Sequence, residues 1–176
     1  MKKSIFIILL FGNIYSASAQ YLGETTFKKK PKLDWNDFNK YVEIYSDVQK
    51  AHLGVTIITE TKNVNVWTGI ITVDSYAGLK PDSSWVILKY GDANLLRYMQ
   101  LQYDYANMIA DKAEREINSK KINAGNTYKI TGILDAYLDE LRETLKHIDA
   151  ETDYGSSLLQ IEKWESILNE QLSESK

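Results

Sequence analysis

The stretch GDANLLRYMQLQYDYANMIADKAEREI, residues 91–117, divides the chain into two kinds of pattern. Inside it, Leu95, Met99, Tyr103, Ala106, Ala110, Ala113 and Ile117 recur at three-four spacing, which places them on one face of a helix. Asp92 stands where an N-cap belongs. Before Gly91 the pattern is that of strands. His52-Leu-Gly-Val-Thr-Ile-Ile-Thr-Glu60 and Val64-Asn-Val-Trp-Thr-Gly-Ile-Ile-Thr-Val73 are rich in β-branched residues. Thr61-Lys62-Asn63 between them reads as the turn of a hairpin. Gly78, Pro81 and Asp82 break the chain before a further short run at Ser84-Trp-Val-Ile-Leu88.

Beyond residue 117 the helical period continues. Asn123 to Asn126, with Gly125, separates the first helix from a second, which carries Ile130, Ile133, Leu134, Tyr137, Leu138, Leu141, Leu145 and Ile148. A third begins after Gly155, with Ser157 and Gln160 spaced as a capping box and Leu158, Ile161, Trp164, Ile167, Leu168 and Leu172 as its expected buried stripe. Strands followed by three helices make the expected class α+β, an N-terminal antiparallel hairpin or sheet with helices after it.

The first residues read as an address. Lys2 and Lys3 precede a mostly apolar run from Ser4 to Tyr15, and Ala17-Ser18-Ala19 has the small-x-small form of a cleavage site. Residues 1–19 are therefore expected to be a signal peptide, residues 20–32 a polar, basic lead-in, and residues 33–176 a single domain. The product is expected in the periplasm or outside the cell, with no membrane anchor after cleavage. Lys28-Lys29-Lys30-Pro31-Lys32 reads as a solvated tail, and Leu33-Asp-Trp-Asn-Asp-Phe38 as a segment pinning it to the core through its aromatics.

Composition narrows the function classes. The formal net charge is −3, and loss of Lys2 and Lys3 would make the chain more acidic still, a field that attracts neither nucleic acid nor an anionic membrane. With no cysteine there is no disulfide, thiolate metal site or thiol nucleophile. The two histidines, His52 and His147, fall in different elements without metal-ligand spacing. Neither a glycine-rich phosphate loop nor a G-x-S-x-G elbow is present. The carboxylates fall mostly on helix surfaces, where a solvated face is their ordinary role.

The order of several segments resembles a bacterial family described as predicted secreted zinc-dependent proteases, a domain of unknown function. The shared features are the Trp-x-Asp-Phe opening at Trp35–Phe38, Ser84-Trp85-Val86, the helix Leu95-Leu-Arg-Tyr-Met-Gln-Leu-Gln-Tyr-Asp104, and the turn Thr152-Asp-Tyr-Gly155 followed by Trp164. The resemblance implies a zincin-like metallopeptidase fold with an H-E-x-x-H helix, whose two histidines share one face and bind zinc while the glutamate serves as base. It assigns the histidine positions to Tyr98 and Gln102, the glutamate position to Met99 and a third ligand position to Tyr154. Tyrosine binds zinc well only as phenolate, glutamine is a poor ligand and methionine takes no proton. The expectation is a degenerate site with no zinc and no catalytic residue, packed or shallow, neutral and aromatic.

The function expected on that basis is a catalytically inactive binding or interaction module with a protein or peptide partner. Three alternatives stay open. One is a hydrolase with a relocated site using Asp104, Glu151 or the histidines. Another is a structural envelope protein with Tyr98, Tyr103, Tyr105 and Tyr137 as contact surface. In the third, Tyr98, Gln102 and Tyr103 are core and boundary residues of an unrelated α+β protein.

Overall fold

A computed structural model describes residues 27–41 and 49–174. The expected signal peptide and its cleavage site lie outside the described residues.

The longest strands form an antiparallel hairpin as expected, but its second strand lies at residues 71–79 and not at 64–73. β3 (Val55–Val64) pairs antiparallel with β4 (Ile71–Leu79). Along β4 the side chains of Ile71, Val73, Ser75, Ala77 and Leu79 all turn inward, the period of two that a strand imposes. β4 runs on through Gly78 to Leu79, beyond the break expected there, because a Cβ at Gly78 would meet Ile58 Cγ1 at 2.4 Å and glycine leaves that space free.

The turn of the hairpin is not at Thr61-Lys62-Asn63. Those residues hold a register irregularity between Thr61 and Asn63, a bulge that lets the strand continue. The chain reverses at Asn65–Gly69 instead. Asn65 Oδ1 accepts from the amides of Trp67 (2.9 Å) and Thr68 (3.0 Å), Gly69 N–H donates to the Asn65 carbonyl (2.7 Å), and Gly69 has φ +68°. An Asx turn closed by a left-handed glycine supplies what the reversal needs.

A second sheet has three short strands in the order β1 (Asn39–Tyr41), β5 (Trp85–Ile87), β2 (Ala51–His52), with β1 parallel and β2 antiparallel to β5. Three helices follow: α1 (Ala93–Ser119), α2 (Tyr128–Glu151) and α3 (Leu158–Glu174).

α1 is the centre of the molecule. Asp92 caps it, accepting from Leu95 N–H at 2.8 Å, and every residue of its expected apolar face is buried. Its polar residues also have a structural task. Asn107, Glu114 and Asn118 accept hydrogen bonds from the amides of Ala77 (3.0 Å), Ser75 (2.8 Å) and Val73 (2.8 Å), while Asn118 Nδ2 donates to the Val73 carbonyl. These are the β4 groups facing away from β3. The helix thereby covers a strand edge that would otherwise present unpaired amides. Glu114 is thus no solvated surface carboxylate. α2 and α3 pack outside α1 on narrower stripes, with Leu141, Ile148, Ile161 and Leu168 buried.

The capping box expected at the start of α3 does not close. Ser157 N–H donates to the Thr152 carbonyl (2.8 Å), and Gln160 Oε1 is buried without a partner. The lysine run is not a free tail either. Lys28 exchanges two backbone hydrogen bonds of 2.9 Å with Leu79, and Lys30 Nζ lies 2.6 Å from the buried carboxylate of Asp37. Leu33 and Phe38 are buried and Trp35 meets Phe38 edge-on at 5.2 Å, so the following segment pins the chain as its aromatics indicate.

Candidate functional site

Tyr98 and Gln102 lie four residues apart on α1, so both side chains leave the same face of the helix. Gln102 Nε2 donates to the Tyr98 hydroxyl at 2.9 Å. Both groups also donate to one oxygen of Asp149, in the last turn of α2. Tyr98 is 2% exposed and Gln102 6% exposed, which makes this an interior cluster.

The turn between α2 and α3 closes over it. Asp153, Tyr154 and Gly155 all have positive φ, at 49°, 50° and 84°. Tyr154 keeps this unusual conformation for a bulky residue with its N–H held by the Asp149 carbonyl at 2.8 Å. Thr152, fully buried, donates its hydroxyl to the Ile148 carbonyl (2.6 Å) and accepts from Gly155 N–H (3.2 Å). Gly155 rests on the Tyr98 ring so closely that a Cβ there would lie 2.6 Å from Tyr98 Cδ1. The helix 95–104 and the turn 152–155, distant in sequence, are therefore neighbours in space. Met99 is 1% exposed and belongs to the main core.

The electrostatics follow from burial. It pushes the Tyr98 hydroxyl far above its ordinary pKa, and the hydrogen bond to Asp149 and that residue's charge act in the same direction. Tyr98 is a neutral phenol at any ordinary pH. Burial also raises the Asp149 carboxyl, opposed by the hydrogen bond from Tyr98, the charge of His52 and the hydrogen bond from Gln102. The C-terminal end of the α2 dipole disfavours an anion in the same sense as burial. His52, at the end of β2 and exposed, has its ring tilted against Trp85 at 6.3 Å; partial desolvation of the ring holds its pKa below the ordinary value, with Asp149 acting in opposition.

Chemically this is a clasp joining α1 to the end of α2. Two donors meet one acceptor, and the Thr152 hydroxyl, bonded to backbone on both sides, also lies against the Tyr98 hydroxyl and opposes the rise of its pKa. The cluster joins one aromatic ring, Tyr98, to an amide and to the carboxyl of Asp149. Sequence reasoning missed that residue. The available signal was an acid in the final turn of a helix, where the dipole disfavours it, directly after the buried Ile148.

The residues considered for a relocated site have separate partners. Gln100 Nε2 donates to Asp104 at 2.7 Å, and Glu151 pairs with Lys163 at 3.2 Å on the surface. Among the described residues, no three His, Asp or Glu side chains come together as a metal-holding group. Tyr98, Tyr103 and Tyr105 are buried, so they form interior and not contact surface. A cleft of about 670 Å³ lies far along α1 from Tyr98, between the end of that helix and the start of α2, lined by Lys121, Asn123, Lys129, Ile133 and Tyr137 among others.

Compared with known protein families, with curated proteins and with solved structures, the chain finds no match in any of the three.

Proposed function

We propose that this chain is an exported, non-catalytic binding module of metallopeptidase-like build, in which a Tyr–Gln–Asp clasp occupies the position of a zinc centre. The observation that carries this reading is the meeting of Tyr98 and Gln102, at the i, i+4 spacing of paired zinc ligands, on a single oxygen of Asp149. The turn at Gly155, matched on sequence to the third ligand segment, packs against the same tyrosine.

The residues present do not suit zinc. Tyr98 stays a phenol, Gln102 offers a neutral amide, and Met99 is a core thioether unable to act as a base. No chemical step is assigned to a metal here. What such a module retains is surface. β3 is the outer strand of a two-stranded sheet, and an extended peptide can add to a strand edge through main-chain hydrogen bonds.

The test is elemental analysis of the purified protein together with a peptidase screen. The expected result is substoichiometric zinc and no chelator-sensitive proteolysis. One zinc per chain, with proteolysis that disappears on chelation, would contradict the proposal.

A further inference from the structure

Well away from the clasp, the tip of the β3–β4 hairpin is the most exposed apolar feature among the described residues. Val66 is 88% and Trp67 92% exposed. The turn that carries them is ordered by Asn65 Oδ1, which holds the amides of Trp67 and Thr68, so the indole is displayed without a loop that must first be organised. Backbone pairing brings a second element beside the tip: Ala124 N–H donates to the Gly69 carbonyl at 3.0 Å, and Ile70 bridges Asn123. Lys120 and Lys121 stand at the start of that connection, which leads to Tyr128, 67% exposed, and Lys129 in the first turn of α2; all three lysines line the adjacent cleft. Glu116 is the acid facing these lysines. It sits 3.8 Å from Lys120 and accepts from the Tyr137 hydroxyl at 3.0 Å.

We propose that this pole docks on an anionic lipid surface, with Trp67 and Val66 entering the interfacial region and the lysines facing the headgroups. The overall charge of −3 conceals a local excess of cations, since three lysines and one acid line the cleft next to the segment that pairs with the base of the tip. Exposed Trp and Tyr over lysines suit the boundary between headgroups and acyl chains. The apolar tip amounts to a few side chains, far short of the roughly 800 Å² per partner that a stable protein interface buries. A shallow lipid contact needs no such area.

The experiment is co-sedimentation of the purified protein with vesicles of phosphatidylcholine containing about 25% phosphatidylglycerol, against phosphatidylcholine alone. The expected result is binding at least about tenfold stronger to the anionic vesicles and weakened by salt. Trp67→Ala and the pair Lys121→Glu/Lys129→Glu should each lower it by about tenfold or more. Trp67 and the two lysines are surface residues, so circular dichroism and thermal unfolding of both variants should match the parent. Absence of vesicle binding, or binding that Trp67→Ala leaves unchanged, would overturn the proposal. Concentration-dependent self-association abolished by Trp67→Ala, without vesicle binding, would assign the tip to a second copy of the chain instead.

Discussion

Asp149→Ala is expected to lower the unfolding free energy by about 2–6 kcal/mol, because it strands two buried donors, each costing roughly 1–3 kcal/mol. Those donors are the Tyr98 hydroxyl and Gln102 Nε2, which share one carboxylate oxygen and lie under the α2–α3 turn. Asp149→Asn keeps an acceptor at the same place and should cost clearly less. The two variants also differ from the parent in pH dependence. Burial raises the Asp149 pKa above its unfolded value of 3.8, so the folded chain binds this proton more tightly than the unfolded chain does. Stability therefore falls as pH rises from below 3.8 through the raised folded value, then levels off. Asp104 and Asp111, also raised by burial, contribute slopes of the same sign. Asp149→Asn should remove only its own share. Urea unfolding across the acid range measures all of this. Equal, negligible losses for the alanine and asparagine variants would show that the clasp carries no weight.

Gly155→Ala should be comparably damaging. At φ +84° an L side chain costs about 1–2 kcal/mol. The new Cβ would meet the Tyr98 ring at 2.6 Å and 2.8 Å, and overpacking of a filled interior adds about 1–3 kcal/mol. The sum is about 2–5 kcal/mol. A double-mutant cycle separates the two causes. In a Tyr98→Ala background the ring contacts are gone and most of the steric part should disappear, leaving the backbone part and the 3.2 Å approach to the retained Cβ. A Gly155→Ala penalty that is the same in both backgrounds would exclude contact with Tyr98 as its origin.

The parts of the fold legible in the sequence are those whose signals are local and repeated. α1 has a capping aspartate and an unbroken apolar face, so its start and its buried side follow directly from residues 92–117. The first hairpin strand follows from its β-branched run, but the second run, Val64–Val73, overlaps β4 only at residues 71–73, because Asn65–Gly69 within it forms the turn. The reversal was misplaced because Thr61-Lys62-Asn63 has turn composition, whereas Asn65 and Gly69 hold the conformations a turn requires. Of the three-stranded sheet only its central strand, within the short run Ser84–Leu88, was legible; β1 and β2, of three and two residues, exist only through that neighbour. Asn107, Glu114 and Asn118 resemble any polar helix face until β4 is beside them. The lysine run looks solvated until Leu79 and Asp37 take up Lys28 and Lys30.

For the site, the pairing of Tyr98 with Gln102 follows from helical spacing, and the proximity of the turn at Tyr154 came from the resemblance. Asp149 did not emerge from either route. Its importance arises from two donors on another helix, a relation that no local pattern records.

The central claim is that Tyr98 and Gln102 are arranged as zinc ligands would be and are held by an acid in place of a metal. Its most direct test is calorimetric zinc titration of the folded variant Tyr98→His/Met99→Glu/Gln102→His/Tyr154→His. The account predicts uptake of one zinc per chain, weakened when Asp149→Asn is added, because Asp149 sits where the two α1 side chains converge. A variant that folds and takes up no zinc would contradict it.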